Sequence, residues 1–286
     1  MRERVARSRQ LVARGRKAAV VARVMRISRQ AIYRTPKPRA RPGPRPARGA
    51  VDEAIVEVAK ENPTDGTRMV AALTSRELGR PVSRKRAQRV MRAERLLQRH
   101  RPSGRRRRPG HFQVQRPDQL WHMDMTSVWV AEHGWCYLNA AIDCCTREIT
   151  GHSLDLRCRA QEAIAVVGRA AQDRGIAADQ LTLGTDNGTA YTSRSFRAYL
   201  KELGIAHRRG GYRDPESQAF IESWFSKLKE REVWRNEYET LADARAAITA
   251  YVERYHHRPH QFLNYKTPKE VAATWEDGLT LQNSAA

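Results

Sequence analysis

Three acidic residues sit where their surroundings give them a shared chemical use. Asp124 lies inside an apolar run, Trp121-His122-Met123-Asp124-Met125-Thr126, where aspartate is disfavoured on strand propensity alone. Asp186 follows the apolar stretch 181–185 and precedes Asn187-Gly188. Glu222 falls in Ala219-Phe220-Ile221-Glu222-Ser223-Trp224, a helical pattern. If the segments bearing Asp124 and Asp186 are neighbouring strands, their carboxylates meet at the strand ends, and a helix packed across that end adds Glu222. Oxygen-only ligand sets suit hard divalent cations, Mg²⁺ or Mn²⁺. Two such ions roughly 3.5–4 Å apart assist phosphoryl transfer by activating one oxygen and stabilising the departing one. Taken singly, Asp186 before Asn-Gly is an ordinary turn residue and Glu222 a solvated helix position. The joint pattern carries the reading. Two other acids, Asp143 at a strand end and Asp214 before Pro215, read as structural.

These acids need strands to hold them, and the second half of the chain supplies them. Leu120–Val130 reads as a strand, Glu132-His133-Gly134 as a turn, and Trp135–Asp143 and Arg147–Leu156 as two further strands of an antiparallel meander. A helix over Ala160–Arg174 and a short buried strand over Leu181–Thr185 follow. Ser193 caps a helix through Leu203, Ile205–Arg208 is a fifth strand, and Pro215–Arg235 and Leu241–Tyr255 are helices. Periodicity by itself supports an α/β class.

The first half is different in kind. Of 286 residues with a formal charge of +22, residues 1–110 hold 32 basic and 8 acidic side chains, and the remainder 21 and 23. A strongly basic half beside a near-neutral one points to a polyanion-binding region joined to something with another task. Residues 1–35 read as helix, turn, helix, with Gly15 as a break and Ser28 capping a helix that carries Arg29, Gln30 and Arg34. Residues 36–49 form a basic, proline-rich linker. Residues 50–100 form a second helical segment. Its last helix, Arg84–Leu97, is capped by Ser83 and displays Lys85, Arg86, Arg89 and Arg92. Both segments read as helix-turn-helix units for DNA, a generic basic helical bundle being the plainer alternative. Residues 101–116 are a second basic linker, 117–275 the catalytic region and 276–286 a tail.

The catalytic region resembles the DDE transposases of bacterial insertion sequences, specifically the IS-three family of the retroviral-integrase superfamily. The motifs that carry the likeness are Trp121–Thr126, Gly184-Thr185-Asp186-Asn187-Gly188-Thr189-Ala190-Tyr191, and Gln218–Lys229. Thirty-five residues separate Asp186 from Glu222, the spacing associated with that superfamily, and Lys229 occupies the family's basic position seven residues after the glutamate. The tail Tyr255-His256-His257-Arg258-Pro259-His260, with Tyr265-Lys266-Thr267-Pro268, is also similar. The loop Arg208–Glu216 departs from the family's commonest form.

The resemblance implies a ribonuclease H-like core: a mixed five-stranded sheet with helices on both faces, preceded by all-α helix-turn-helix segments. It implies an enzyme that binds the terminal inverted repeats of its element and catalyses DNA cleavage and strand transfer. Asp124, Asp186 and Glu222 would be both catalytic and metal-holding, with two Mg²⁺ ions that Mn²⁺ can replace, and Lys229 would contact DNA phosphate. The implied partners are element ends and target DNA, with a homo-oligomer bringing two ends together. The alternatives are a catalytically dead DNA-binding regulator and a ribonuclease H-like nuclease without strand transfer. No apolar run approaches the ~18–20 residues of a membrane span, and four cysteines without a CxxC pair fit a reducing cytoplasm. His256, His257 and His260 make a thin zinc signal. Cys144-Cys145 reads as a buried pair, and Trp224-Phe225 as helix packing.

Overall fold

The computed structural model describes residues 2–34, 49–98, 114–210 and 218–284. Residues 35–48 and 99–113, which take in most of both basic linkers, and Asp214 and Glu216 in the loop before Glu222, lie outside the described residues. The chain forms two compact units, Met1–Ala47 and Arg48–Ala286.

The first unit holds α1 (Arg2–Ala13), α2 (Ala18–Val24) and α3 (Arg29–Tyr33). Gly15, at φ 82°, takes the left-handed backbone that turns α1 into α2. Ser28 caps α3 by accepting from the Ala31 N–H at 3.3 Å. Val21, Ala22 and Ile32 make a small core. The Arg9 guanidinium ties α1 to the end of α3 by donating to the Ile32 carbonyl at 2.8 Å.

The second unit opens with α4 (Ala50–Glu61), α5 (Thr67–Glu77) and α6 (Arg84–Ala93), packed around Ile55, Val70, Ala87 and Met91. Ser83 caps α6 as expected, accepting from the Arg86 N–H at 3.2 Å. The helix ends four residues before Leu97. Arg95 adopts φ 58°, and its own N–H and that of Leu96 bond back to the Arg92 and Met91 carbonyls. This Schellman closure folds Leu96 and Leu97 onto the helical core.

Next come β1 (Leu120–Val130), β2 (Gly134–Asp143), β3 (Ile149–Asp155), α7 (Ala160–Asp173), β4 (Thr182–Thr185), α8 (Thr189–Thr192), α9 (Arg194–Glu202), β5 (Ala206–Arg209), α10 (Ala219–Arg231), α11 (Leu241–His256) and α12 (Pro268–Ser284). The sheet order is β3-β2-β1-β4-β5. β1 pairs antiparallel with β2 and parallel with β4. This is the ribonuclease H-like arrangement. One face packs Trp121, Met123 and Leu183 beneath residues of α7 and α9. The other packs Val128, Val130, Leu138 and Ile142 beneath α10 and α11.

β3 starts at Ile149, two residues later than expected, because Asp143 organises the turn before it. Its Oδ1 accepts from the N–H groups of Cys145 (2.8 Å) and Thr146 (2.6 Å), and Arg147 takes φ 67°. Neither α8 nor α12 is anticipated by the sequence pattern.

The helices α4–α6 are bolted to the sheet domain. Asp65, in the α4–α5 turn and only 2% exposed, accepts from Arg231 at the end of α10 (2.7 Å) and from Arg258 beyond α11. Arg258 also donates to the Asn62 side-chain carbonyl at 3.0 Å. Arg76 makes a two-pronged pair with Glu270 on α12, at 2.7 and 2.6 Å.

Candidate active site

The parallel register of β1 and β4 ends on Met123 opposite Thr185. Asp124 and Asp186 are therefore the next residues on two adjacent strands, which run about 4.8 Å apart. Asp186 Oδ1 accepts from the Gly188 N–H at 2.9 Å, closing the turn that stops β4. A Cβ on Gly188 would stand 3.0 Å from that same oxygen, so glycine lets the turn close on the carboxylate. Asn187 steadies the turn from the other side, donating to the Gly210 carbonyl at 3.0 Å.

Glu222 arrives from α10, whose seating involves residues to which the sequence reading gave no role. The Phe220 ring stacks on His122 of β1, with centroids 5.6 Å apart and planes 21° off parallel. The Arg147 guanidinium lies over the Phe220 ring, 3.3 Å from its centroid. Gly184 makes room for this stack, because a Cβ there would come 2.9 Å from the His122 ring. Burial, reinforced by Arg147 and Arg208, holds His122 down at about 4. It is therefore a neutral ring at physiological pH and serves as a platform for the first turn of α10. The only sequence signal for this arrangement was the presence of His122, Gly184 and Phe220 inside the quoted motifs.

The three carboxylates share one electrostatic field. Burial pushes the Asp124 carboxyl up to about 6; the Met125 N–H opposes this, Asp186 and Glu222 push it further up, and Lys229 pulls it down. Lys229, two turns along α10 from Glu222, thus reaches the same field. Among the described residues, no three acidic, histidine or cysteine side chains stand close enough to grip one ion together. Asp124 and Asp186 each spend an oxygen on a nearby backbone N–H, at 2.7 and 2.9 Å. The donor set still fits a hard divalent cation: only oxygen ligands, one of them half-buried and strained by its acidic neighbours, with a single lysine as counter-charge.

The remaining candidates sort as follows. Asp143 is a turn clamp, also accepting from the Asp118 N–H at 2.7 Å. His256 accepts from the Ile149 N–H at 3.0 Å and is held at about 4, chiefly by burial. It is a structural histidine. Cys144 is buried, and Trp224 and Phe225 belong to the core against α11. In the first unit Arg29, Gln30 and Arg34 are exposed. On α6, Lys85 and Arg92 are exposed, whereas Arg86 and Arg89 turn back to the buried Asp52 at 2.6 and 3.6 Å. Two of the four basic side chains proposed for DNA on this helix therefore also brace α4.

Profiles of the family described as "Integrase core domain" match residues 114–215 and 203–268, which together take in Asp124 on β1, Asp186 after β4 and Glu222 on α10. The transposase for insertion sequence element IS904 of Lactococcus lactis is 30% identical over 165 residues, covering 56% of this chain and 63% of that protein. Transposase InsD for insertion element IS2-9 of Escherichia coli K12 is 27% identical over 294 residues, covering 94% of this chain and 93% of that one. The chain belongs to the integrase-core transposases of bacterial insertion sequences. Among solved structures, the catalytic core domain of BIV integrase is 21% identical, with a TM-score of 0.45, and covers 57% of this transposase-family chain and 99% of that one.

Proposed function

We propose that this protein cuts and joins DNA at the ends of its own insertion sequence, with Asp124, Asp186 and Glu222 as the catalytic carboxylates. The observation that carries this reading is the placement of Asp124 beside Asp186 at the end of the β1–β4 pair, inside the field of Glu222 and Lys229. The three acids would hold Mg²⁺ or Mn²⁺, two ions in all, which when bound supply Lewis acidity at the scissile phosphate. In the first step a water oxygen attacks phosphorus and the bond to the 3′-oxygen breaks. In the second, the freed 3′-hydroxyl attacks a target phosphorus, the target strand's own P–O3′ bond breaks, and a target 3′-hydroxyl leaves with the proton. No serine or tyrosine nucleophile is needed, so no covalent protein–DNA species forms.

The chain's own residues do the positioning. Lys229 holds a phosphate beside the reacting one as a point charge. His122, neutral and stacked on Phe220, fixes the end of α10 that presents Glu222. Arg29, Gln30 and Arg34 of the first unit and Lys85, Arg86, Arg89 and Arg92 of α6 bind the terminal repeats, with phosphate contacts dominating affinity. Two ends must meet, so the working form is a homo-oligomer on DNA. Because its proposed substrate is DNA, the protein would act at the nucleoid, in the cytoplasm; among the described residues no helix is long and apolar enough to cross a membrane.

The test is cleavage and joining of labelled element ends with and without Mg²⁺. Glu222→Gln should lose both steps by orders of magnitude while still binding the ends. Full cleavage by that variant removes Glu222 from the site. Lys229→Ala should bind and cut poorly, with Lys229→Arg recovering much of the loss.

A further inference from the structure

Three tryptophans stand on the surface next to this site. Trp129 and Trp135 face each other in register across the β1–β2 hairpin, edge to face at 5.3 Å, and are 55% and 58% exposed. Trp234, in the short 3₁₀ turn after α10, is 70% exposed. This chain does bury indoles where packing asks for it: Trp121 and Trp224 are fully enclosed. The exposed three, with Ser127, Asn236 and Lys229, line one cleft of about 380 Å³. Its far end is pinned, because the N–H groups of Ala131 and Glu132 bond to the carbonyls of Tyr238 and Glu239 at 2.9 and 3.0 Å. The hairpin end and the segment after α10 are thus tied together by backbone hydrogen bonds at that end of the cleft.

Lys229 joins the cleft to the carboxylates, lining the one and acting on Asp124 in the other. Trp129 lies five residues along β1 from Asp124, roughly 17 Å at a strand's rise. That is about five base steps of stacked DNA at roughly 3.4 Å each. A flat aromatic wall, a cation suited to phosphate, and the polar edges of Ser127 and Asn236 match one ligand class. Resting on the proposed reading as a DNA-processing enzyme, we infer that this cleft receives an unpaired nucleobase of the strand engaged at the carboxylates. The base stacks on Trp129 or Trp234, and the backbone running from it toward the carboxylates passes Lys229. The protein thereby selects ends whose terminal pairs are open, and does so without reading sequence, since every base has a face to stack.

The test uses the full chain in EDTA, so that no cutting occurs, with three duplexes of the same arbitrary sequence. One is blunt, one carries a short single-stranded overhang containing 2-aminopurine, and one carries an abasic overhang of equal length. The parent should bind the base-bearing overhang about tenfold tighter than the abasic one, and 2-aminopurine fluorescence should be quenched on binding. Trp129→Ala/Trp234→Ala should lose the preference and the quenching while binding the blunt duplex as the parent does. Trp234→Phe, which keeps a ring, should retain both. Equal affinity for base-bearing and abasic overhangs, with no quenching in the parent, overturns the cleft and leaves the DNA-processing reading standing. Failure to bind any duplex removes that reading and the cleft with it. A double variant that changes oligomeric state but not overhang preference makes the cleft an interface between copies and overturns the inference.

Discussion

Removing the Asp65 carboxylate isolates the joint between the small helices and the sheet domain. In Asp65→Ala, Arg231 and Arg258 lose the acid that neutralises them. Asp65 is 2% exposed and the two arginine side chains are 17% and 24% exposed, so water is poorly placed to take over. Breaking a buried pair from one side costs about 3–5 kcal/mol. For a unit of this size, each kcal/mol moves the melting temperature by about 2–4 °C, so a loss on the order of 10 °C is expected. Calorimetry supplies the number, and hydrogen exchange supplies its location: protection should fall first in α4–α6 and at the ends of α10 and α11. Arg76→Ala is the internal contrast. Its pair with Glu270 is 41% and 45% exposed, which places it in the class worth about 0–1 kcal/mol. If Asp65→Ala melts within a degree or two of Arg76→Ala, the joint is solvated and the two parts are only loosely associated.

Asp124→Asn should stabilise the metal-free protein at pH 8, by about 1–3 kcal/mol, because the folded-state carboxyl is pushed up to about 6 and its ionised form is disfavoured there. A group raised in this way adds stability as pH falls through about 6, so the advantage of the amide should vanish by about pH 4; Mg²⁺ should raise the melting temperature of the parent but not of this variant. Gly184→Ala drives a Cβ to 2.9 Å from His122 and should cost about 1–3 kcal/mol, with cleavage falling more than DNA binding as the start of α10 is displaced. Lys85→Ala and Arg92→Ala should each lower the salt dependence of DNA binding by about one counterion with little change in melting temperature, whereas Arg86→Ala should also destabilise α4–α6 by freeing the buried Asp52; equal behaviour of all three would show that the Asp52 contacts do not restrain Arg86.

What the sequence made legible was local. Ser28, Ser83 and Ser193 each sit at the N-cap they were assigned, because capping is decided within three residues. β1 carries its expected limits because its inward faces are apolar and a Gly134 turn at φ 74° ends the hairpin. The three acids were readable as a set because each lies in a recognisable run. Contacts between distant segments escaped. Phe220 meets His122 across nearly a hundred residues, and Arg231 meets Asp65 across 166. No periodicity encodes such a meeting. The end of α6 was misplaced for a related reason: the apolar pattern continues through Leu97, and only the left-handed Arg95 reveals that Leu96 and Leu97 fold back instead of extending the helix.

Glu222 and Arg231 stand nine residues apart on one unbroken helix, about 13 Å along its axis. On the proposed reading one end of that rod presents the acid to the scissile phosphate; the other is fastened through Asp65 to the turn between α4 and α5. If α4–α6 bind the duplex as proposed, they form a fixed arm whose distance from Glu222 is set by the fold. Such a protein measures as well as recognises. With α6 seated on its bases, the nick should fall at one constant number of base pairs away, whatever sequence lies between. A spacer lengthened by a single pair should cost more than several mismatches inside it.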